Sequence, residues 1–243
     1  LLSVLILRKN NLKIIEFIEA TIPYHIDNLG MHKSYNILEH AKYINNLNEL
    51  KSICLYFKIN LPTNLNEIIN KMTSTLNEYF HLDGSLPLFN GSNNIYTNLI
   101  NNTLNKETYL RSRNFINIKN GIAIYTDKSK KLFFDVVQPN KDKISQSLNA
   151  GTLSFEMSCM GEKIITNCGA SESSGKNPEY LRYSAAHSTI ILQNTNISEI
   201  KENNPHLKFP QSVTFDSNRY DNLSVLEGSH NGHIKKFNKI IKR

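Results

Sequence analysis

The chain has 243 residues, of which 40% are hydrophobic and 20% are charged. This length can bury a sizeable core, as one large domain or two modest ones, and the composition excludes a chain that is disordered throughout. The formal net charge is +7 and comes mostly from scattered lysines, so it favours acidic partners without selecting one. A source genome rich in Lys and Asn codons would produce the same charge.

The three cysteines, Cys54, Cys159 and Cys168, form no CxxC pair and no metal-finger spacing. They therefore predict neither a disulfide framework nor a compartment. No run approaches the roughly eighteen apolar residues of a membrane helix. The chain does not begin with Met and its end reads as part of a strand, so we expect a piece of a longer protein. Its opening is typical of an amphipathic helix rather than a signal peptide.

Helical periodicity covers about the first hundred residues. Apolar positions cluster on one face in "LKIIEFIEATI", and the pattern continues from Ile37 through Leu55. A third helix follows Pro62, with Thr63 or Asn64 as its N-cap. The segment "NIYTNLINNTL" predicts one further short helix. A series of antiparallel helices fits a bundle, a solenoid or a toroid.

Alternation with a period of two then replaces the helical pattern. "FINIKNGIAIYTDKSKKLFFDVV" predicts two or three strands with turns at "KNG" and "DKSKK", and "TLSFEMSCMGEKIITNCG" predicts a strand pair that turns at Met160 and Gly161. Further strands are predicted at "STIILQ", "SVTFDS", "LSVLEGS" and "HIKKFNKII". Strands without intervening helices indicate an antiparallel β-sandwich. We expect an α+β chain with a helical domain over residues 1–110 and a sheet domain over 111–243.

Three segments resemble the heparinase II/III-like family of polysaccharide lyases. "NAGTLSFEMS" at 149–158 resembles a strand of that family, and "RYSAAHSTIIL" at 182–192 carries an Arg followed five residues later by a His. "LEGSHNGHIKKF" at 226–237 resembles a segment that leads into a late strand. "LDGSLPLFNGSNN" and "NLGMHKS" are similar to the helical part of the family. The resemblance implies the last helices of an α/α toroid followed by an antiparallel, supersandwich-like β-sandwich, truncated at both ends, with an active site in the cleft between them.

The resemblance also implies an activity: cleavage of an acidic, uronate-containing glycan, of glycosaminoglycan or alginate type, by β-elimination. Donors such as Asn, Arg or His neutralise the uronate carboxylate, a base removes the C5 proton, and an acid assists the leaving oxygen. A non-catalytic glycan-binding or envelope-structural protein that keeps the fold is the alternative. Nucleic-acid binding is not expected, because the clustered basic face and stacking aromatics of such modules are missing.

His187 is the first candidate for the site, since the resemblance places it beside the cleft. Without the resemblance, a His hydrogen-bonded by backbone at a strand end would be the simpler interpretation. Arg182 is either a carboxylate clamp or a partner in a salt bridge. His230 and His233 flank an Asn-Gly turn signal, and we place His230 among the substrate-binding candidates.

A metal site is not expected. Zinc-binding members of the family use a His where this chain has Asn149, an Asp near the position of Asn167, and the His that matches His187. Amides are poor zinc ligands compared with imidazole and carboxylate, so we predict no metal and no cofactor. Asn149 then either donates a hydrogen bond to a substrate carboxylate or marks a degraded site.

The segment "GMHKSYNILEH" supplies the helical candidates. Many members of the family carry an Arg, a Ser-Pro pair and a Tyr-His pair here. In this chain His32 and His40 fall on matching positions, whereas Glu39 replaces the Tyr and Tyr35 replaces the Arg. Tyr35 lies about one helical turn from His32 and from Glu39, so it either presents its hydroxyl to the site or packs between helices.

The complete prediction combines these candidates with a compartment. We expect His187, Tyr35 and His32 to carry the acid, base and neutralising roles, and Arg182, Asn149, His40 and His230 to contact the substrate. An acidic polysaccharide is the expected partner. The family resemblance places the protein in the cell envelope or periplasm.

Overall fold

The structure, a computed structural model, describes residues 11–93, 115–119, 121–139, 148–170, 179–200, 208–221 and 223–243. Helices come first and antiparallel sheets second, which confirms the α+β class. The first three helices are α1 (Asn11–His25), α2 (Ile37–Tyr56) and α3 (Leu65–Asn77). Across the described ranges, no helix is long and apolar enough to cross a membrane.

The starts of α2 and α3 differ in how they are capped. The Asn36 side chain accepts a hydrogen bond from the Glu39 backbone N–H at 3.0 Å, which satisfies one of the free amides of the first turn. Asn64 precedes α3, as predicted, but its φ is 58° and its side chain makes no capping bond. Asn64 therefore acts through its tolerance of the left-handed conformation rather than as a side-chain cap.

Eight strands form two antiparallel sheets within the described residues. The first sheet has the order β1-β2-β3-β4-β5 and the second has the order β6-β7-β8. Their bounds are β1 Phe115–Lys119, β2 Ile122–Thr126, β3 Lys130–Asp135, β4 Phe155–Cys159, β5 Glu162–Ile165, β6 Val213–Tyr220, β7 Leu223–His230 and β8 Ile241–Lys242. Met160 and Gly161 turn between β4 and β5 with φ values of 52° and 85°, as a two-residue hairpin requires.

The first sheet lies between the helices and the second sheet. On one face, Ile124 and Phe133 sit opposite each other and belong to the core cluster that contains the buried residues of the helices. On the other face, Ala123 and Phe134 sit opposite each other and pack in a second cluster with Phe215 of β6. Because side chains alternate across a strand, β2 and β3 contribute to two cores at once.

Two predicted strands are wrong. "STIILQ" at 188–193 forms no strand; it follows two 3₁₀ turns, Glu179–Arg182 and Ser184–Ala186, and has only an isolated bridge between Leu192 and Thr195. Gln193 and Asn194 have positive φ values, which bends the chain away from an extended path.

"HIKKFNKII" at 233–241 is the second error. Ile234–Phe237 forms a short helix, α4, and pairing with β7 begins only at Ile241. Asn238, with φ 52°, ends this helical turn in the left-handed conformation that Asn adopts readily.

Several predictions lie outside what the structure describes. The helix predicted over "NIYTNLINNTL" and the boundary near residue 110 both fall within 94–114. The assignment of the helices to a toroid and of the sheets to a sandwich also stays a prediction.

Glu156 of β4 joins the helical part to the first sheet. It lies opposite Phe133 and so faces the helices, where its side chain is fully buried. Its Oε2 atom is 3.0 Å from Nε2 of His81, which is equally buried and follows α3. A buried carboxylate is tolerated only where hydrogen bonds and opposite charge compensate for the loss of water.

Backbone amides complete the shell of this carboxylate. Its Oε1 atom accepts from the N–H groups of Leu88, at 2.8 Å, and of Asn167, at 3.0 Å. The ammonium group of Lys163 lies 3.7 Å from Oε2. One carboxylate thus holds two loops that are distant in sequence.

Replacing Glu156 by Ala tests this joint. The change strands the Leu88 and Asn167 amides and leaves Lys163 without its counter-ion, so we expect a loss of about 3–5 kcal/mol in the free energy of unfolding. Urea denaturation measures it. Glu162→Ala, at an exposed position on the same hairpin, is the matched control and should change stability by less than about 0.5 kcal/mol. Equal losses in the two variants would contradict the assignment.

Candidate functional site

Backbone contacts bring the segments around Asn149 and His187 together. The Ala150 N–H donates to the carbonyl of Arg182 at 2.9 Å, and the Ser184 hydroxyl donates to the carbonyl of Ala150 at 2.7 Å. Through these bonds, the two 3₁₀ turns lie next to the segment that leads into β4. Asn149 and His187 therefore lie on adjacent, mutually bonded stretches of chain.

The segment after β5 closes the same region. The Cys168 N–H donates to the carbonyl of Ala186 at 3.0 Å, and the Ser188 N–H donates to Oδ1 of Asn167 at 2.9 Å. Asn167 is also the residue whose amide N–H is held by Glu156. The three positions that the resemblance singled out, 149, 167 and 187, are thus joined through one hydrogen-bonded framework.

A cluster of buried polar groups results, which we call the amide–imidazole cluster: Asn149, Asn167 and His187. Their exposed fractions are only 6%, 3% and 8%. Both ring nitrogens of His187, both amide atoms of Asn149 and Nδ2 of Asn167 make no hydrogen bond with the described part of the chain. Buried polar atoms are nearly always paired, so this concentration of unpaired ones is typical of a site that receives polar groups from outside the chain.

Gly151 fixes the position of the His187 ring. A Cβ atom added at Gly151 would lie 3.1 Å from Cγ of His187, which is closer than ordinary packing allows. The ring therefore rests directly on the backbone at Gly151, where a larger residue would push it away. This contact explains on steric grounds why the third residue of "NAGTLSFE" is Gly.

Burial also sets the charge of His187. Loss of water lowers the pKa of its imidazole to about 4, against a smaller opposing effect of the Glu156 carboxylate. The ring is consequently neutral near pH 7, with one nitrogen as a donor and the other as an acceptor. A neutral ring can accept a proton or donate a hydrogen bond, and both are useful in an elimination.

The zinc set implied by the family does not fit these residues. Asn167 uses its Oδ1 atom to accept from Ser188, and the amide of Asn149 carries no charge. One imidazole and one neutral amide oxygen are a weak donor set for zinc, which prefers imidazole, thiolate and carboxylate. Within the described ranges no three His, Cys, Asp or Glu side chains gather as a metal group would.

Asn90 connects the helical segment to the cluster. Its Oδ1 atom accepts from the Asn149 N–H at 3.2 Å, and its Nδ2 atom donates to the carbonyl of Tyr35 at 3.4 Å. Its own carbonyl accepts from the Asn36 side chain at 3.0 Å. Tyr35 is therefore joined to the cluster through its backbone.

The Tyr35 side chain is partly buried against the helical core. Burial, assisted by the carboxylates of Asp27 and Asp135, raises the pKa of its hydroxyl to about 12. The hydroxyl thus stays protonated at neutral pH and is suited to donating a proton. No hydrogen bond or ring contact among the described residues joins the side chain of Tyr35 or of His32 to His187.

His32 lies in an aromatic group of its own. Its ring is stacked on His25 with centroids 5.8 Å apart and is tilted against Tyr43 at 5.4 Å, and its Nδ1 atom is 2.7 Å from the Ser34 hydroxyl. Burial lowers its pKa to about 4. These contacts offer His32 a packing role and do not support the predicted catalytic one.

His40 is held entirely by backbone. Its Nδ1 atom accepts from the His32 N–H at 3.1 Å, and its Nε2 atom is 2.9 Å from the carbonyl of Met72. The ring is completely buried. Both nitrogens are engaged, so the predicted substrate contact of His40 finds no support here. Glu39, at the position of the family's Tyr, is exposed and pairs with Lys42 at 2.8 Å.

Arg182 and His230 occupy different surroundings. One guanidinium nitrogen of Arg182 donates to the carbonyl of Leu148 at 3.3 Å, next to Asn149, so Arg182 lies beside the cluster. His230 ends β7 and stacks at a tilt against His233, with centroids 5.7 Å apart. Its Nδ1 atom accepts from the Gly232 N–H at 3.1 Å. None of the described contacts of His230 reaches the cluster.

Two residues of the site were missed or ranked low by the sequence analysis. Glu156 lies within "NAGTLSFEMS" but no role was predicted for it. A carboxylate on the inward face of a predicted strand does indicate that a buried hydrogen-bond partner is present. Asn90 stands in "LDGSLPLFNGSNN", where its "NG" pair predicts only a turn. Its cross-linking role depends on long-range packing that no local pattern encodes.

Protonation should couple this site to stability. His187 has a folded pKa of about 4 against an ordinary value of 6.5, so its contribution is fully present above pH 6.5 and is lost as pH falls through 4. His32, His40 and His230 act in the same direction. Asp135 opposes them, because burial raises its pKa to about 7 and its contribution is lost as pH rises through that value.

His187→Gln should therefore reduce the slope of unfolding free energy against pH, between the two pKa values of His187, by about one proton, or about 1.4 kcal/mol per pH unit. Urea titrations at several pH values measure this slope. Asn149→Ser is the control, since it alters the same cluster without removing a titratable group and should leave the slope unchanged. Equal slopes for His187→Gln and the unaltered chain would contradict the burial-based shift.

Comparison with solved structures shows a similar fold in two known proteins. A mutant of the heparan sulfate lyase HepC from Pedobacter heparinus matches with a TM-score of 0.67 and 15% identity, over 90% of this chain and 37% of that chain. A heparinase III structure matches with a TM-score of 0.63 and 15% identity, over 94% of this chain and 43% of that chain. The chain spans about two fifths of the length of these structures.

Sequence comparison supports the same relationship. No curated protein matches the chain significantly. The model of the heparinase II/III-like, C-terminal family matches residues 118–243, more than half of the chain and all of "NAGTLSFEMS", "RYSAAHSTIIL" and "LEGSHNGHIKKF". The resemblance inferred from those segments is confirmed, and the chain belongs to the heparinase II/III-like family.

Proposed function

We propose that this polysaccharide lyase-like protein cleaves an acidic, uronate-containing glycan by β-elimination at the amide–imidazole cluster. The observation that carries the proposal is the set of unpaired polar atoms that Asn149, Asn167 and His187 bury on one hydrogen-bonded framework. The family and the shared fold support a polysaccharide lyase-like protein; the substrate and the roles below are proposed.

The two amides suit the task of neutralising the substrate carboxylate. Removing the C5 proton next to that carboxylate creates an enediolate, whose second negative charge must be balanced by nearby donors. Asn167 is oriented for this role because its Oδ1 atom is already held by Ser188, which leaves its NH₂ group as the unpaired atom. Asn149 adds a second NH₂ donor.

His187 is the proposed base. Its pKa of about 4 keeps the ring neutral and able to accept a proton. Such a low pKa makes the ring a weak base as long as no substrate carboxylate is bound beside it. A uronate carboxylate bound beside the ring would favour the imidazolium and raise the pKa. The substrate itself would then strengthen the base that acts on it.

Tyr35 is the proposed acid. Its raised pKa of about 12 keeps the proton on the hydroxyl until the glycosidic oxygen departs and accepts it. This is the behaviour expected of a general acid rather than of a phenolate base. Arg182, beside Leu148, is proposed to contact the carboxylate. His32, His40 and His230 are given no part in the reaction.

One observation favours the alternative, a non-catalytic glycan-binding or envelope-structural protein. Glu39 stands where the family's Tyr is expected and is exposed and paired with Lys42, so it cannot replace the phenol at the cluster in this arrangement. The cell envelope or periplasm is proposed as the compartment for either function, on the family resemblance alone, and fractionation of the source cells tests it.

The decisive experiment is incubation of the full natural protein with a panel of acidic polysaccharides while the absorbance of unsaturated uronate is followed. His187→Ala and Tyr35→Phe should each lower the rate by about 10²-fold or more, as expected for loss of a general base or acid. Tyr24→Phe, at a position that is 72% exposed, is the control and should leave the rate unchanged.

Two results would contradict the proposal. Unchanged turnover in His187→Ala would remove the cluster from the reaction. Absence of unsaturated product with every polysaccharide, together with retained binding of one of them, would establish the alternative.

A further inference from the structure

A cleft lies on the other side of Ser184 from the amide–imidazole cluster. Its volume is about 790 Å³, and it is lined by residues 195–200, 208, 209, 211, 231, 232 and 234–236 together with Tyr183. Ser184 separates the two places: its hydroxyl donates to the carbonyl of Ala150, on the side of Asn149, and accepts from the Ile197 N–H, on the side of the cleft. We call this second feature the lysine cleft.

The charged groups of the lysine cleft are mostly cationic. Lys208, Lys235 and Lys236 line it together with one carboxylate, Glu199, among the described residues. Lys208 pairs with Glu199 at 3.0 Å. Lys235 and Lys236 are exposed and form no ion pair with the described part of the chain. The ammonium of Lys236 lies 5.3 Å from the centroid of the Phe237 ring, and neither lysine has a counter-ion among the described residues.

Two amides in the lining are oriented as donors. Oδ1 of Asn196 accepts from the Ser184 N–H at 2.9 Å, and Oδ1 of Asn231 accepts from the N–H groups of Gln211, at 2.8 Å, and Ser212, at 3.1 Å. Because the backbone occupies the oxygen atoms, each side chain has its NH₂ group left to donate. Ammonium and NH₂ donors together match the oxygen atoms of a carboxylate or sulfate.

The remaining wall suits a sugar ring. Tyr183 lines the cleft with a half-buried aromatic side chain whose hydroxyl donates to Glu179 at 3.0 Å, so the ring is held in place and offers an apolar surface beside the polar donors. At Gly232 an added Cβ would lie 2.8 Å from the carbonyl oxygen of Ile197. The backbones of Gly232 and Ile197, both in the lining, are thus in close contact.

We propose that the lysine cleft binds an anionic saccharide through its carboxylate or sulfate groups, at a site separate from the amide–imidazole cluster. The proposal rests on the proposed function only in taking a glycan as the ligand. Arg182, beside the cluster, and Tyr183, in the lining of the cleft, are consecutive residues, so we expect one polysaccharide chain to reach both places. The lysine cleft then holds sugar units that are not cleaved.

Calorimetric titration of the full protein tests the proposal. The probes are a heparan sulfate octasaccharide, an alginate octasaccharide that carries carboxylates only, and neutral cellohexaose; His187→Ala serves as the background so that no probe is consumed. Lys235→Glu with Lys236→Glu should weaken binding of the acidic probes about tenfold, the effect of reversing two exposed charges. Added salt should weaken binding in the unreversed background, since exposed charges are screened.

Two further variants sharpen the result. Lys128→Glu with Lys239→Glu makes the same change in net charge at exposed lysines outside the cleft and should change the affinity less than about twofold. Asn196→Asp keeps the oxygen that Ser184 needs and exchanges the NH₂ donor for a carboxylate oxygen, so it should weaken binding without lowering the unfolding midpoint.

The outcomes separate this proposal from the lyase activity. Lysine-dependent binding of either acidic probe supports the cleft, even in a protein that yields no unsaturated product. An affinity for the acidic probes that is unchanged by both the Lys235/Lys236 reversal and Asn196→Asp overturns it, even in an active lyase. Equally tight binding of cellohexaose would also overturn it, because a neutral sugar offers no anion to the lysines.

Discussion

The buried carboxylate of Glu156 is the interaction on which the candidate site depends. A charge that has lost its water must be surrounded by donors, and here the donors come from different parts of the chain: the His81 ring after α3, the Leu88 amide and the Asn167 amide. Satisfying one carboxylate thus requires the loop at 81–92, which follows α3, and the segment after β5 to meet at β4. The site is built where they meet.

The position of His187 follows from that joint. Glu156 holds the backbone of Asn167, the side chain of Asn167 holds the backbone of Ser188, and Ser188 also donates through its hydroxyl to the carbonyl of Phe155, adjacent to Glu156. The ring of His187 is then pressed on Gly151. The Asn149 side chain takes part in none of these steps, and an Asp at position 167 would keep an oxygen for the Ser188 N–H, so both positions can exchange an amide for another group while the frame is kept. This is how a metal-type position can become an amide position within one fold.

The sequence predicts the elements that local pattern controls. Alternation identified β1 to β5, and the Met160–Gly161 turn was located correctly because a two-residue hairpin needs positive φ at both residues. The strand predicted over 188–193 does not form, because side-chain hydrogen bonds replace backbone pairing there. The hydroxyls of Ser188 and Thr189 donate to carbonyls of the 152–155 segment. Such competition is favoured by Ser and Thr but depends on a partner that only tertiary structure supplies.

The candidate site shows the same division. Asn149, Asn167 and His187 could be grouped from the family resemblance, which relates all three to one set of zinc ligands. His32 and His40 matched motif positions equally well, yet the structure engages both nitrogens of His40 with backbone and stacks His32 on His25. A motif specifies where a side chain begins, and hydrogen-bond partners decide what it is free to do. Glu156 shows the converse, since its partners lie far away in sequence.

The charged groups proposed to attract the glycan lie apart from the neutral groups proposed to act on it. The amide–imidazole cluster contains no fixed charge, because its members are two amides and a ring that burial keeps neutral, whereas the exposed lysines 235 and 236 carry theirs in water. Buried lysines at the cluster would bind a carboxylate strongly in the ground state and incur a large desolvation cost. Neutral donors bind it weakly at first and gain strength as negative charge grows on the enediolate, which is the differential binding that lowers a barrier. Exposed lysines at a separate cleft can then supply affinity for a polyanion without opposing that gain.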